Sequence, residues 1–445
     1  MNILVDGGLV VSDKLIFDGA VAIEGNRIVA VGDSSELRKR FSGFERIDAK
    51  GCAVIPGLIN THTHAAMTLF RGYSEDLTLF DWLNKRIWPA EAVLTPKDIQ
   101  IGAELAAYES LLFGTTTLNS MYFYSDEGSE LHAFEKAGIR ATVGHGFFEK
   151  TVEDGLKITE EMAKKWHGRD EGRLRVSVCP HAPYSTGPKS YIMAHELQLR
   201  LNYLYGDKGK IILHTHVAES REEASVVKKA FNVDVSGGVV VYLSRLGILS
   251  NSLLMAHTIH LTEQDISVMK VFDVKPSLNP VSNLKLGMGV ADCMKLLENG
   301  LKVSLGTDGP ASNNTLDMFE TIKIMSLMVK GLNFNPTLLP SKEAFKLATE
   351  YGAMALGYND LGAIRPGYLA DIVILDLNLP HARPVHDIYA HLIYSVRATD
   401  VKTVIVNGKI VLENRRFPNI DILNFLDEVE KVKESLLNRI RNAVA

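Results

Sequence analysis

The chain is 445 residues long, 46% hydrophobic and 23% charged, with a net charge of −5. That is an ordinary globular composition with ample core, too long for one small domain but suited to a large barrel plus a satellite. No basic stripe accompanies the charge, which argues against nucleic acid as the main partner, because phosphate binding needs clustered Lys and Arg.

The N-terminus, Met1-Asn2-Ile3-Leu4-Val5-Asp6-Gly7-Gly8, has neither a basic n-region nor a long apolar h-region. No run of about 18 apolar residues reads as a membrane span. Residues 21–31 are two apolar runs around Gly25-Asn26, a hairpin signal. Three scattered cysteines, Cys52, Cys179 and Cys293, form no disulfide framework and no zinc finger, and suit a reducing, cytoplasmic location. From about residue 56 the pattern becomes strand, loop, helix, repeated. Candidate buried strands are 54–59, 115–118, 140–143, 174–179, 210–213, 252–256, 271–275 and 302–305, with helical stretches such as 96–113 and 316–330 between them. Short apolar runs alternating with helical ones imply parallel βαβ units, and eight of them predict a closed (β/α)8 barrel of the TIM type. An open doubly wound sheet would advertise a Gly-rich phosphate loop, and none is present. After the barrel come a strand at 370–376, a second hairpin at 403–412 around Asn407-Gly408, and an amphipathic helix at 422–440. Neither end has enough strands to bury a sheet face alone. The expected organisation is therefore a small β-sandwich built from 1–55 and 363–445 around a barrel at 56–362.

The chemistry-bearing residues cluster where these strands end, and a barrel places its active site at the C-terminal ends of its strands. The first strand ends at His62-Thr63-His64, whose two imidazoles share a strand face because successive side chains alternate. The fourth ends at Pro180-His181, the fifth at His214-Thr215-His216-Val217-Ala218-Glu219, the sixth at His257 and the eighth at Asp308. Three histidines and a carboxylate fit a shell for zinc or another divalent first-row metal with an open position for water. Such an ion brings the pKa of bound water toward neutrality. Glu219, three residues beyond His216, is placed to shuttle a proton, as hydrolysis of a carbon–nitrogen bond requires. Of His214 and His216, one is a ligand and the other an orienting neighbour. His257 and His181 are each either site residues or satisfied core histidines. His132, His167, His195, His260, His381, His386 and His391 read as ordinary.

The ordered strings PGLINTHTHAAM, LHTHVAES, MAHTIHL, NPVSNLKLGMG and LGTDGPASNN resemble the amidohydrolase superfamily. Within it they are similar to the 5′-methylthioadenosine/S-adenosylhomocysteine deaminase group, related to chlorohydrolases and to guanine and cytosine deaminases. The match spans almost the whole chain. It implies one divalent metal, zinc first with iron(II), manganese(II) or nickel(II) as alternatives, on His62, His64, His216 and Asp308. By the same resemblance Glu219 and His257 handle protons, and Asp308 also acts as base and touches substrate, as does Glu219. Trp82-Leu83…Pro89-Ala90-Glu91 resembles the segment whose Glu contacts the ribose, which assigns that role to Glu91. Arg140, after Ala137-Gly138-Ile139, matches a substrate-side Arg, and His181 a substrate-binding His. Two departures stand out: Leu278 occupies a place often held by His, and a second substrate Arg has no clear counterpart unless His145 replaces it. A bridging Lys of binuclear relatives is absent from 174–181, which favours a single metal. The cytidine-type zinc deaminases need a Cys-x-x-Cys pair that this chain lacks. The resemblance implies a small-molecule nucleoside substrate deaminated to its inosine analogue. The alternatives are a free base or chlorotriazine as substrate and, more remotely, an inactive barrel scaffold. Barrels of this type often self-associate, so a homo-oligomer is compatible with the reading.

Overall fold

The structure, a computed structural model, describes residues 2–123 and 128–444. Eight parallel strands form the centre. Leu58–Thr63, Thr115–Tyr122, Arg140–Phe147 and an irregular fourth strand, Leu174–Val176 with Cys179–Pro180, make one sheet. Leu213–Val217, Leu253–His257, Lys275–Leu278 and Ser304–Leu305 make the other. The two sheets join at both edges. On one side Val178 N donates to Ile212 O (3.0 Å) and His214 N to Val178 O (2.9 Å). On the other, Asp308 N donates to His62 O (3.0 Å) and the Thr61 hydroxyl to Leu305 O (2.9 Å). The eight-stranded barrel expected from the sequence thus closes, its last strand stitched to its first by side chains as well as backbone.

Three expected strands shift, and of 210–213 only Leu213 lies in the strand Leu213–Val217. The apolar run at 54–59 is really two strands. Cys52–Pro56 belongs to the chain-end sheet, and the barrel strand begins at Leu58. The break falls at Gly57, where a Cβ would lie 2.1 Å from Thr116 Oγ1, so only glycine passes. Residues expected as a strand at 271–275 instead end the helix Glu263–Phe272, and the strand is Lys275–Leu278. Short apolar runs do not distinguish a helix end from a buried strand.

Both chain ends meet in one hydrogen-bonded array of eight strands whose two ends fold together over a shared core, Asn26 Nδ2 reaching Asn407 Oδ1 and Ile28 N donating to Tyr368 O. Its order is Lys409–Leu412, Val401–Val406, Ile372–Asp376, Cys52–Pro56, Asn2–Val11, Leu15–Glu24, Arg27–Asp33, with Glu45–Asp48 beside Asn2–Val11. Both predicted hairpins form, one pairing Glu24 with Arg27 and the other Val406 with Lys409. Asn407 and Gly408 take φ values of 51° and 72°, which two-residue turns of this kind require. Ile3, Val5, Val21, Ile23, Ile372 and Ile405, drawn from both ends, share one apolar cluster. The terminal helix Ile422–Val444 buries Phe425, Val429 and Val432 in the main core. It also sends Leu436 and Ile440 into the cluster with Trp82 and Tyr122. Among the described residues no helix is long and apolar enough to cross a membrane.

Candidate metal centre and substrate pocket

His62 and His64 leave the same face at the end of the first barrel strand, and both are buried. His64 Nδ1 lies 2.6 Å from Met121 O, and His216 Nδ1 lies 2.7 Å from His181 O. A backbone carbonyl only accepts, so each Nδ1 carries the proton and each Nε2 presents a lone pair. Those two Nε2 atoms face one another at 3.3 Å. His62 Nε2 is buried without a hydrogen bond, 3.3 Å from Asp308 Oδ1, which is also 3.3 Å from His64 Nε2. The other Asp308 oxygen accepts from Ser282 Oγ (2.6 Å) and Ser312 Oγ (2.7 Å). Donor atoms 3.3 Å apart are the edges of a coordination polyhedron with bonds of about 2.0–2.2 Å. The residues present therefore fit a divalent cation: inward lone pairs that repel one another, an orphaned imidazole nitrogen, and a carboxylate with one oxygen reserved.

The electrostatics agree at His62, His216 and Asp308, whereas at His64 burial is outweighed by Asp308, which raises the imidazole. Burial pushes His62 down to about 3 and His216 well below the usual histidine range, which keeps both neutral, as ligation requires. Burial alone would raise Asp308, but the His62 and His64 imidazoles outweigh it and hold it ionised. His214 backs His62: its Nε2 is 2.8 Å from His62 Nδ1. Of the fifth-strand pair, His216 is grouped with His62 and His64, and His214 orients.

His257 places Nδ1 2.8 Å from Asn283 Oδ1 and Nε2 3.8 Å from Glu219 Oε1. It also forms a tight group with His62 and Asp308. Ala218, His257, Thr258 and Asp308 all have positive φ, at 54°, 73°, 46° and 61°. Non-glycine residues in that region are strained, and such strain concentrates at functional sites. Glu219 is buried, which raises its carboxyl.

Above these groups lies a narrow cavity of about 40 Å³, well below the usual size of a small-ligand pocket. Larger clefts exist, but they lie elsewhere on the surface and contain none of the strand-end residues. His64, His181, His216, Glu219, His257 and Asp308 border the cavity, and its wall is apolar, including Trp82, Trp88, Phe123 and Leu286. His181 presents its ring edge-on to Phe123 and Tyr184, with Nδ1 2.6 Å from Ser185 Oγ. Burial lowers it to about 3, so it stays neutral. Glu91 ends the short helix Trp88–Glu91, fully buried, with neither carboxyl oxygen in a standard hydrogen bond. Burial pushes it up to about 7, against the pull of the neighbouring Tyr122 hydroxyl. It is not among the described residues lining the cavity.

Arg140 does not reach this pocket. It is the first residue of its strand, at the end of the barrel opposite the strand-end histidines. Its Nε and one terminal nitrogen bind Asp371 at 2.7 and 2.8 Å, and the latter nitrogen also donates to Asn407 Oδ1 at 3.0 Å. Both charged side chains are almost completely buried. Arg140 thus fastens the barrel to the chain-end sheet, and its resemblance to a substrate-side Arg is corrected on that ground. His145, the candidate stand-in for a second Arg, alternates with Gly144 and Gly146 and shares a strand face with Val143 and Phe147, which pack in the main core. It is not in the cavity wall. Leu278 packs in the same core. Sequence reasoning missed Ser282, Asn283 and Ser312, although NPVSN and GPASNN were in view. Their side chains orient Asp308 and His257, and only the fold brings them there.

The fold and the site together define a metal-dependent barrel hydrolase. The Amidohydrolase family model matches residues 53–411, and the chain belongs to that family, whose members bind a divalent metal. It is 40% identical to a 5-methylthioadenosine/S-adenosylhomocysteine deaminase from Caldanaerobacter subterraneus subsp. tengcongensis, over 98% of this chain and 99% of that one. It is 39% identical to a 5′-deoxyadenosine deaminase from Methanosarcina mazei, over 95% of each. Among solved structures, a zinc-bound adenosine deaminase from Xanthomonas campestris superposes with a TM-score of 0.90 at 30% identity, covering 98% of this chain and 99% of that one.

Proposed function

We propose that this chain is a single-metal, zinc-dependent deaminase of adenosine-type nucleosides, giving the inosine analogue and ammonia. The observation that carries it is a pair of overlapping groups, His62 with His64 and His216 and His62 with His257 and Asp308, linked by Asp308 Oδ1 3.3 Å from His64 Nε2, with Glu219 beside His257. Those four residues would hold the ion, and the ion supplies water activated at neutral pH. Deamination adds water across C6 of the purine and expels ammonia. As C6 becomes tetrahedral the adjacent ring nitrogen must gain a proton. Burial keeps the Glu219 carboxyl protonated to higher pH, which suits it to give that proton. Asp308 and His257 take up the proton that water loses, and the amino group leaves once protonated. His181 borders the base, and Glu91 would accept from the ribose hydroxyls. Its buried carboxyl keeps acceptor capacity beyond the Tyr122 hydroxyl for such donors.

The 5′ end of the nucleoside meets an apolar wall. No Lys or Arg is among the described residues lining the cavity, and 124–127, next to Phe123, contains none in its sequence. The carboxylate of a homocysteinyl end would be desolvated there with no cationic partner among the described lining residues. The expected order is 5′-deoxyadenosine and 5′-methylthioadenosine ahead of S-adenosylhomocysteine, by about tenfold or more in kcat/KM.

Ammonia release across these nucleosides, adenosine, guanine, cytosine and a chlorotriazine, with and without chelator treatment, tests the reading. Chelator-sensitive release from the adenosine analogues is expected. Release from free bases only, or chloride in place of ammonia, would overturn the substrate assignment. Glu91→Gln is expected to raise KM for nucleosides about tenfold while sparing any free-base turnover, and equal losses on both would remove Glu91 from the ribose site.

A further inference from the structure

Glu223 is a buried carboxylate with no established task. It opens the helix Glu223–Phe231 and is 1% exposed. No Lys or Arg is among the influences on it; burial pushes its carboxyl up to about 8, against the pull of the Ala218 and Glu219 backbone amides. One of its oxygens accepts from Ala218 N at 2.9 Å and the other from Glu219 N at 2.8 Å. With Ala218 in the left-handed region, these consecutive N–H groups form a concavity of the kind that binds anions. Here the chain's own side chain fills it.

The other side of the same segment is also held. Val217 O accepts from Thr258 N, and Ala218 O from both Ile259 N and His260 N, all at 2.9 Å. The loop carrying Glu219 is therefore clamped between the residues that follow His257 and the Glu223 carboxylate. The clamp fixes Glu219 against His257, 3.8 Å away. Glu223 itself lies outside the cavity wall.

We propose that Glu223 is a positioning residue for the reaction: by gripping the Ala218 and Glu219 amides it sets the height of the Glu219 carboxyl over the substrate ring. This rests on the reading of Glu219 as the proton donor. Glutamine at 223 keeps one acceptor and turns an NH2 donor toward the second N–H, so it loosens the grip without emptying the space.

The test is a double-mutant cycle on 5′-methylthioadenosine with Glu223→Gln, Glu219→Gln and both together, measuring kcat, KM, metal content and melting temperature. Glu223→Gln is expected to lower kcat about tenfold to hundredfold, with KM within about twofold and metal content unchanged. In the Glu219→Gln background the same change is expected to cost less than about twofold more, because the residue it acts through is gone. Equal losses in both backgrounds would overturn the proposal and make Glu223 a general structural group. Undiminished kcat in Glu219→Gln would overturn the reading of Glu219, and this proposal with it. If Glu223→Gln does not fold, Glu223→Asp, which keeps the carboxyl group on a shorter arm, takes its place in the cycle: a loss confined to the background with Glu219 intact is expected, and equal losses in both backgrounds would again overturn the proposal.

Discussion

Asp308→Ala is expected to lower turnover about a thousandfold or more, through loss of several kcal/mol of transition-state stabilisation, while the barrel stays folded. One Asp308 oxygen stands 3.3 Å from both His62 and His64 Nε2, and the other is held by Ser282 and Ser312. On the proposed mechanism, removing the carboxylate leaves three imidazoles to hold a dication and takes away the group that would accept the proton from water. The backbone bond from Asp308 N to His62 O does not need the side chain, so closure persists. Asp308 sits at φ 61°, a conformation asparagine tolerates better than alanine. Asp308→Asn therefore separates loss of charge from backbone strain, and both variants should fail alike. Elemental analysis, kcat and circular dichroism check the three claims. Retained turnover in either variant would sink the metal-assisted mechanism.

Asp371→Ala is expected to destabilise the fold by about 3–5 kcal/mol with little effect on catalysis by the molecules that stay folded. It strips Arg140 of its two-pronged partner in a place where the guanidinium has no access to water. It also removes the acceptor of the Asn407 backbone N–H. Arg140→Met in the same chain should recover part of the loss, because an uncompensated buried charge costs more than an absent pair. Denaturant midpoints measure the stability, and KM measured well below the transition checks the location. A raised KM with unchanged stability would return Arg140 to the substrate.

The strand-end residues were legible because two simple rules act on them. Alternation puts His62 beside His64 and His214 beside His216, and parallel barrels gather strand ends at one face. Arg140 was misread because the resemblance overrode the expected strand 140–143, which already puts it at the strand's start. Its strand was recognised, but its place at the start of that strand is the fact that removes it from the site. The break at Gly57 had a local sign, the Pro56-Gly57 pair, overridden by the apolar residues on both sides. Glu223, Ser282 and Ser312 left no periodic trace. They work through single hydrogen bonds to Glu219 and Asp308, from helices that follow their strands, and such pairings exist only once the chain has folded.

The barrel's seam has a consequence for how the protein comes into being. Two proposed ligands of the ion, His62 and His64, lie at the end of the first barrel strand, and the proposed carboxylate ligand follows the last. Asp308 N meets His62 O only when that strand arrives, and Cys52–Pro56 pairs with Ile372–Asp376 later still. A nascent chain leaving the ribosome from its N-terminus therefore carries two histidine ligands early but no complete site. Until the far end emerges it also shows a bare strand edge open to mispairing. Competence arrives near the end of translation, so a chain cut short anywhere in the barrel is an aggregation hazard before it is a weak enzyme.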